Sequence, residues 1–315
     1  MTVAQVRQRF VVRGLGADSQ CHGSAYDPRG CFFGLPSVFF GFDFYSRFLC
    51  SFPTSRRTLF SMLAIVREVP RSIASGERTH VAREPIDLEM AREEHRRYVG
   101  ALSGLGCEIL SLEEEPELAD SVFVEDTACV FDEIAVLTRP GARSRRPEVD
   151  SIAEVLQNYR KVVRIEPPAT LDGGDILVFG KRVFVGLGSR TDGGGVGALA
   201  EHLAPHGYTV EGVPLGDCLH LKSAVSVLGE ESLLVHPGWV DGALFGAARI
   251  VEIDPTEPFA ANAVFVENSV IVAEAFPRTR ERLESAGLRV VCVPAGELAK
   301  AEGGVTCCSL LLKSP

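Results

Sequence analysis

The segment LDGGDILVFGKRVFVGLGSRT, residues 171–191, contains two short apolar runs rich in β-branched residues, with glycines before, between and after them. Such runs predict a pair of strands joined by a tight turn. The residues that follow, VGALAEHLAPHG at 196–207, have the apolar spacing of an amphipathic helix. Two strands followed by a helix are therefore the predicted structural unit.

Units of this kind recur along the chain. They open near residues 120, 171, 219, 261 and 304, at separations of 51, 48, 42 and 43 residues. Periods of this length with paired strands favour a closed radial array. The helices distinguish this array from an all-β propeller. A doubly wound sheet stays the alternative, although it has one strand per helix and shows no recurring hairpins.

The remaining elements complete the pattern. Strands are predicted at 64–69, 122–126, 128–132 and 135–140, and helices at 88–106, 148–159 and 280–288. If the C-terminal strand in GGVTCCSLLLK (303–313) joins the unit that begins at Met62, five units result. We predict an α/β protein, a five-bladed α/β propeller of repeated ββαβ units with a central site.

The first 61 residues have a different composition. They carry seven Arg, no Lys and three Asp, a net charge of +4, and 12 of the 24 aromatic residues of the chain. Clear strand periodicity begins only at Met62. Residues 1–61 could be an interaction segment, an irregular lid or sequence foreign to the natural protein. We expect an atypical N-terminal extension, disordered or arising from a misassigned start, and a catalytic domain over 62–315.

Composition and charge narrow the classes of partner. The net charge of −10 argues against nucleic acid and anionic membranes and weakly favours a small cationic substrate. The chain has no apolar run of about 18 residues and no signal-peptide pattern. Its nine cysteines form no CxxC pair. These features predict free thiols and a cytoplasmic location.

Polar residues of catalytic types stand where the units begin. In a closed radial array these positions converge on the axis, where a pocket can form. Each residue alone is more often a turn residue or a buried filler, but the joint pattern at matching places favours a shared site. The residues are Asp120, Glu125, Asp126, Asp172, Asp175, His220, Asn262 and Cys307.

A cysteine, a histidine and acids suit covalent catalysis. Among the seven histidines, only His220 is predicted to head an apolar strand, between Leu219 and Leu221. Asp172 is a candidate to orient its ring. The other acids suit a planar guanidinium, and arginines in GARSRRPE and GLGSRTDG suit the carboxylate of an amino acid. The residues thus favour hydrolysis of the guanidine group of an amino acid.

Metal and nucleotide sites are the alternatives. The chain has neither HExxH nor CxxC spacing and no Walker or GxGxxG glycine loop, so we expect no metal and no cofactor. A non-catalytic propeller whose Cys–His pair binds zinc stays open as a second hypothesis.

Several motifs together resemble one family, dimethylarginine dimethylaminohydrolase, over essentially all of 62–315. The motifs are DSVFVED (120–126), TRPGARSRR (138–146), TLDGGD (170–175), SRT (189–191), LHLK (219–222), FAANAVFVE (259–267) and GGVTCC (303–308). The resemblance implies the pentein fold, a five-bladed α/β propeller around a central active site. It also implies hydrolysis of asymmetric dimethylarginine or monomethylarginine to citrulline and dimethylamine or methylamine, without a cofactor, through a thiouronium on cysteine.

The resemblance also implies roles for individual residues. Cys307 matches the nucleophile, His220 the general acid/base and Asp172 the acid that orients the histidine. The residues that match the substrate site are Asp120, Glu125, Asp126 (the guanidinium partner), Arg145 and Arg190 (the carboxylate partners) and Ala301 (a backbone carbonyl). The expected partner is a small molecule only, and the chain is expected to be a monomer or homodimer.

The main rival function is that of an arginine deiminase or another guanidine hydrolase of this fold. Deiminases place an Asp two residues after the histidine, where this chain has Lys222, and usually carry an added helical domain. The two arginines disfavour agmatine, which has no carboxylate. One departure from the family lies in the lid, REVPRSIASGERTH (67–80), which has Arg78 where relatives offer an apolar residue.

Overall fold

A computed structural model describes residues 62–246 and 248–313. The predicted N-terminal extension, residues 1–61, lies outside this range, so the expected boundary before Met62 stays a prediction. No helix of the described ranges is long and apolar enough to cross a membrane.

The described chain forms short strands and few long helices. The strands are β1 (Met62–Arg67), β2 (Cys107–Leu112), β3 (Ala128–Val130), β4 (Ile134–Leu137), β5 (Lys161–Arg164), β6 (Ile176–Phe179), β7 (Arg182–Leu187), β8 (Thr209–Pro214), β9 (Val225–Val227), β10 (Ser232–Val235), β11 (Arg249–Glu252), β12 (Ala263–Val266), β13 (Ser269–Ala273), β14 (Arg289–Val293) and β15 (Leu310–Lys313). The helices are α1 (Leu88–Gly104), α2 (Glu148–Leu156), α3 (Gly193–Leu203), α4 (Leu221–Ala224), α5 (Pro277–Ser285) and α6 (Gly296–Ala299).

The strands form five three-stranded sheets, ordered β3-β4-β5, β6-β7-β8, β9-β10-β11, β12-β13-β14 and β15-β1-β2. In each sheet the first strand pairs antiparallel with the middle strand, which pairs parallel with the third. The C-terminal strand β15 completes the sheet of β1, with Ile65 opposite Leu310. The predicted five-bladed α/β propeller, including its closure by the C-terminal strand, is confirmed.

Middle strands are apolar on both faces because each blade packs against two neighbours. In β7, Val183 and Val185 face the cluster that contains Leu199 of α3, in the interface with the preceding blade. Phe184 faces the other way and packs edge-on against Phe245 of the next blade, with 4.8 Å between ring centroids. Five such clusters join successive blades into a ring, so alternate residues of one strand stabilise two different interfaces.

Three local predictions were wrong. His220 does not head a strand, because the chain forms a short helix at Leu221–Ala224 before β9 begins. Residues 122–126 do not form a strand, because the chain turns through a 3-10 helix at Val124–Thr127 before β3 begins. In the blade of β9–β11, a 3-10 turn at Gly242–Phe245 stands where the other blades have an α-helix. The ββαβ repeat therefore holds strictly in four of the five blades of the described chain.

Candidate active site

Most of the candidate residues converge because they lie just before the first strand of a blade, whereas Arg145, Arg190 and Ala301 follow β4, β7 and α6. Residues 120–127 lead into β3, 172–175 into β6, 220–224 into β9, Asn262 into β12 and 306–308 into β15. These first strands lie side by side around the axis, so their amino-terminal ends meet at one end of it. The structure brings His220 together with Asp126 and Asp172, and Glu125 together with the turn that carries Cys307.

His220 lies buried against Asp172. Its Nε2 is 3.1 Å from Oδ2 of Asp172, whose other oxygen accepts a hydrogen bond of 2.8 Å from the amide of Gly141. Asp172 is fully buried, and Nη1 of Arg190 lies 3.6 Å from its Oδ2. This contact has the geometry expected of an acid that holds the imidazole in one orientation.

The other ring nitrogen faces Asp126. Nδ1 of His220 is 3.8 Å from Oδ1 of Asp126, which accepts a 2.8 Å hydrogen bond from the amide of Gly174. A Cβ atom at Gly174 would lie 2.6 Å from Nδ1 and 2.7 Å from that carboxylate oxygen. Only glycine fits here, which gives the second glycine of the DGGD motif a physical reason.

Carboxylates raise the pKa of His220. Burial alone would lower it, but Asp126, Asp175 and Asp172 raise the pKa to about 9. Sequence reasoning named Asp175 but gave it no role. Its buried carboxylate accepts hydrogen bonds from the Leu221 amide (3.0 Å) and the Thr191 hydroxyl (2.6 Å), and burial raises its pKa to about 6. The resting imidazole is therefore a cation at neutral pH.

Arg145 points into the protein. Its guanidinium pairs with the carboxylate of Asp126 and, at 2.8 Å, with that of Glu148, and it also donates to the carbonyls of Asp120 and Phe123. Burial raises the pKa of Asp126, but His220 and Arg145 outweigh it and hold that pKa below its usual range. The predicted contacts of Asp126 with a guanidinium and of Arg145 with a substrate carboxylate stay predictions, and both side chains already have an internal partner.

Glu125 belongs to a network with Lys222, Asn262 and Thr306, here called the Thr306 network. Its two carboxylate oxygens accept hydrogen bonds of 2.7 Å from Nζ of Lys222 and Oγ1 of Thr306. Asn262 donates to the Lys222 carbonyl and to Oγ1 of Thr306, and its Oδ1 accepts from the Thr306 amide, each at 3.0 Å. The role of Glu125 in lining the substrate site stays a prediction, since both oxygens already have partners.

The structure separates the two adjacent cysteines. Cys307 is half-buried and its Sγ lies 3.3 Å from the amide nitrogen of Gly304, whereas Cys308 is 1% exposed and packs in the apolar core. Burial and the carboxylates of Glu125 and Asp126 raise the pKa of the Cys307 thiol to about 12. The greater exposure of Cys307 thus favours it as the reactive thiol. From the sequence alone, the choice of Cys307 over Cys308 rested on the family resemblance.

The remaining candidates also surround this end of the axis. Asp120 is buried, its Oδ2 accepts a 2.9 Å hydrogen bond from the amide of Glu77, and burial raises its pKa. Arg190 is 6% exposed beside Asp172. Ala301 is buried just after α6. Their predicted substrate contacts are not tested by these positions.

One group could hold a metal ion by geometry. Ligand atoms of Asp126, Asp172 and His220 lie within 4.8 Å of one another, but Cys307 does not belong to the group. The guanidinium of Arg145 already pairs with Asp126, and that of Arg190 lies against Asp172, so cations of the protein occupy part of the donor set. The expectation that no metal binds stays a prediction.

Comparison with known proteins places these features in a family context. The Arginine deiminase family matches residues 115–258. The N(G),N(G)-dimethylarginine dimethylaminohydrolase of Pseudomonas aeruginosa is 37% identical over 248 residues, which are 78% of this chain and 97% of the relative. The enzyme of the same name from Streptomyces coelicolor is 38% identical over 255 residues, 80% of this chain and 98% of the relative.

Solved structures of dimethylarginine dimethylaminohydrolases also match this chain. A mutant of the Pseudomonas aeruginosa enzyme complexed with citrulline matches with a TM-score of 0.76 and 36% identity, covering 79% of this chain and 98% of that chain. A dimethylarginine dimethylaminohydrolase adduct with S-methyl-L-thiocitrulline matches with a TM-score of 0.75 and the same identity and coverage.

Proposed function

The chain belongs to the dimethylarginine dimethylaminohydrolase family, and we propose that it hydrolyses Nω-methylated arginines to citrulline and dimethylamine or methylamine. One observation carries the proposal: a buried imidazole held between the carboxylates of Asp172 and Asp126 lies in the same cluster of blade openings as the half-buried thiol of Cys307. That arrangement suits nucleophilic attack by sulfur with proton transfer by histidine.

The charges of the site indicate how the thiol ionises. Carboxylates and burial hold Cys307 neutral at rest, as its pKa of about 12 indicates. A bound guanidinium beside these carboxylates would offset their charge and favour the thiolate, whose proton leaves to solvent. We therefore propose that the substrate itself activates Cys307.

Two steps follow from this arrangement. The thiolate attacks the guanidinium carbon, the bond from that carbon to the methylated nitrogen breaks, and His220 gives its proton to the departing amine. A water molecule then attacks the carbon of the S-alkylthiouronium, and His220 takes one proton of that water. The C–S bond breaks, the second proton of the water passes to the sulfur, and citrulline leaves with the thiol restored. Asp172 keeps the imidazole oriented in both steps.

The amino-acid part of the substrate needs partners of its own. We propose that Arg190 and Arg145 attract its carboxylate, that Asp126 and the neighbouring acids Asp120 and Glu125 attract its guanidinium, and that the backbone carbonyl of Ala301 accepts a hydrogen bond from the substrate. Support comes from the burial of these side chains around one end of the axis.

Cellular location and assembly are also part of the proposal. The six cysteines of the described ranges are free thiols, which supports a reducing compartment such as the cytoplasm. We propose a monomer or homodimer that acts on a small molecule.

A second candidate is arginine deiminase activity, because that family matches residues 115–258. The deciding experiment supplies the purified chain with asymmetric dimethylarginine, monomethylarginine and arginine, and measures citrulline. We expect turnover of the methylated substrates. Turnover of arginine alone would assign a deiminase, and absence of citrulline from all three would refute the proposal.

A further inference from the structure

A carboxylate outside the catalytic cluster holds the segment between β1 and α1 against the chain that follows α6. Glu302 follows α6, and its Oε1 accepts hydrogen bonds from three consecutive amides of the segment between β1 and α1. These donors are the amides of Thr79 (2.7 Å), His80 and Val81 (2.8 Å). The segment, residues 68–87, is called the lid segment below. Glu302 is half-buried, and hydrogen bonds from amides to a carboxylate are stronger than those between neutral groups, so this contact stabilises the position of residues 79–81.

A second contact ties the same two segments together. Nε of Arg78 donates to the carbonyl of Lys300 at 2.6 Å, while its Nη1 and Nη2 donate to the carbonyls of Ala74 (2.9 Å) and Ile73 (3.3 Å). Arg78 therefore both braces the lid segment internally and joins it to the residue two positions before Glu302.

The backbone at Glu302 supports the same reading. Its φ of 62° lies in the left-handed region, which is unfavourable for a residue with a side chain. The amides of Ala301 and Glu302 nevertheless close hydrogen bonds of 3.0 Å to the last turn of α6. A glycine would adopt this backbone without strain, so glutamate at this position supplies the carboxylate at the cost of a less favourable backbone conformation.

The fastened peptide is also the one predicted to meet the substrate. Lys300 and Glu302, which hold the lid segment, flank Ala301, whose backbone carbonyl is proposed to meet the substrate. At the other side, the amide of Glu77 in the lid segment donates to Asp120 at 2.9 Å. The lid segment thus connects two parts of the substrate site that lie in different blades.

We propose that Glu302 is a positioning residue, a latch that holds residues 79–81 of the lid segment against the peptide that presents the Ala301 carbonyl. The proposal rests on the proposed function for its kinetic consequence but not for the contact itself. Loss of the hydrogen bonds to Glu302 would leave the groups that perform the chemistry in place and would weaken binding of the substrate. We therefore expect KM to change and kcat to stay nearly constant.

Hydrogen exchange and kinetics on the full-length chain test the latch together. In Glu302→Ala, we expect amide exchange in peptides covering 79–81 to accelerate about 10-fold, since the charged acceptor is lost. KM for asymmetric dimethylarginine should rise about 10-fold with kcat within about twofold. Glu302→Gln, which keeps Oε1 as an acceptor, should lie between wild type and Glu302→Ala. Glu281→Ala, which changes an exposed glutamate on α5, should match wild type in both measurements.

Three outcomes would overturn the latch. The first is unchanged exchange at 79–81 in Glu302→Ala. The second is faster exchange spread over all five sheets, which would indicate general destabilisation, and the third is a fall in kcat with constant KM, which would indicate a part in the chemistry. If wild type forms no citrulline at all, the proposed function fails, yet the exchange measurement still decides whether Glu302 holds the lid segment.

Discussion

The site has two halves, one of which stabilises a charged group, the imidazolium of His220, and the other a neutral group, the thiol of Cys307. Around His220, the carboxylates of Asp126, Asp172 and Asp175 outweigh burial and stabilise the cation, so that its pKa rises to about 9. Around Cys307, burial and the carboxylates of Glu125 and Asp126 act in the same direction and stabilise the neutral thiol. Both groups therefore carry a proton at neutral pH.

This difference shows that the fold already gives His220 the protonated form needed of a general acid, but does not give Cys307 the thiolate form needed of a nucleophile. A histidine that is already protonated can serve a departing amine at once. A cysteine surrounded by negative charge needs an added cation before it ionises, and the substrate carries one. The predictions below test each half, beginning with the largest expected effect.

Replacing the sulfur of Cys307 removes the nucleophile. Cys307→Ser should lower kcat/KM for citrulline formation at least about 10³-fold, because a serine hydroxyl has no means of ionising in this setting. Cys308→Ser is the matched control. Its side chain lies in the core, so we expect activity within about threefold of wild type and a modest loss of stability. Equal losses in both variants would mean that the nucleophile is misassigned.

The His220 half depends on Asp172. Asp172→Asn keeps the shape but removes the charge that faces Nε2, so the imidazole loses a partner that favours its protonated form and fixes its orientation. We expect kcat to fall about 10²-fold or more with a small change in KM, measured as citrulline release. Asp150→Asn, at an exposed position of α2, should leave both constants unchanged. Wild-type activity in Asp172→Asn would exclude the orienting role.

The Cys307 half depends on the ion pair of the Thr306 network. Lys222→Met leaves the buried carboxylate of Glu125 without its cation, and we expect the free energy of unfolding to fall by about 3 kcal/mol. The double variant Glu125→Gln/Lys222→Met removes both charges and should recover most of this loss in urea unfolding. A double variant less stable than Lys222→Met would show that the pair is not the source of the effect.

The smallest expected effect is on the titration of His220. Imidazole signals in NMR should give a midpoint near pH 9 in wild type and a lower one in Asp126→Asn, where one raising charge is lost. Because the folded pKa exceeds the unfolded value of about 6.5, this group adds stability below pH 6.5, and the contribution is lost as pH rises through 9. A midpoint near 6.5 in wild type would contradict the carboxylate cluster.

Much of the fold could be predicted because its signal is local. The continuous apolar runs of the strands and the recurrence of unit openings predicted five blades, and α1 begins at Leu88 as predicted. Residues 122–126 escaped prediction because their apolar run resembles a strand. In the structure, the 3-10 turn there directs Asp126 toward Arg145 and Glu125 toward Lys222, and neither partner is near in sequence.

The sequence predicted which residues form the site better than it predicted the contacts between them. Cys307, His220 and Asp172 are recognisable by residue type and motif. Asp175 and Asn262 were recognised as polar residues at unit openings, but their contacts were not predicted, and Thr306 was not named although it lies beside the opening near 304.

The sequence by itself determined the propeller, its ring closure and the set of residues at the openings of the blades, because periodic apolar patterns and short motifs act over neighbouring residues. Only the tertiary structure decided which carboxylate faces which base, which of two adjacent cysteines is accessible, and that Glu302 holds the lid segment. The physical reason is distance along the chain: the contact from Asp172 to His220 spans 48 residues, that from Glu125 to Thr306 spans 181, and that from Glu302 to Thr79 spans 223. The burial and the pKa values of the site residues depend on such contacts, and these contacts exist only once the ring has closed.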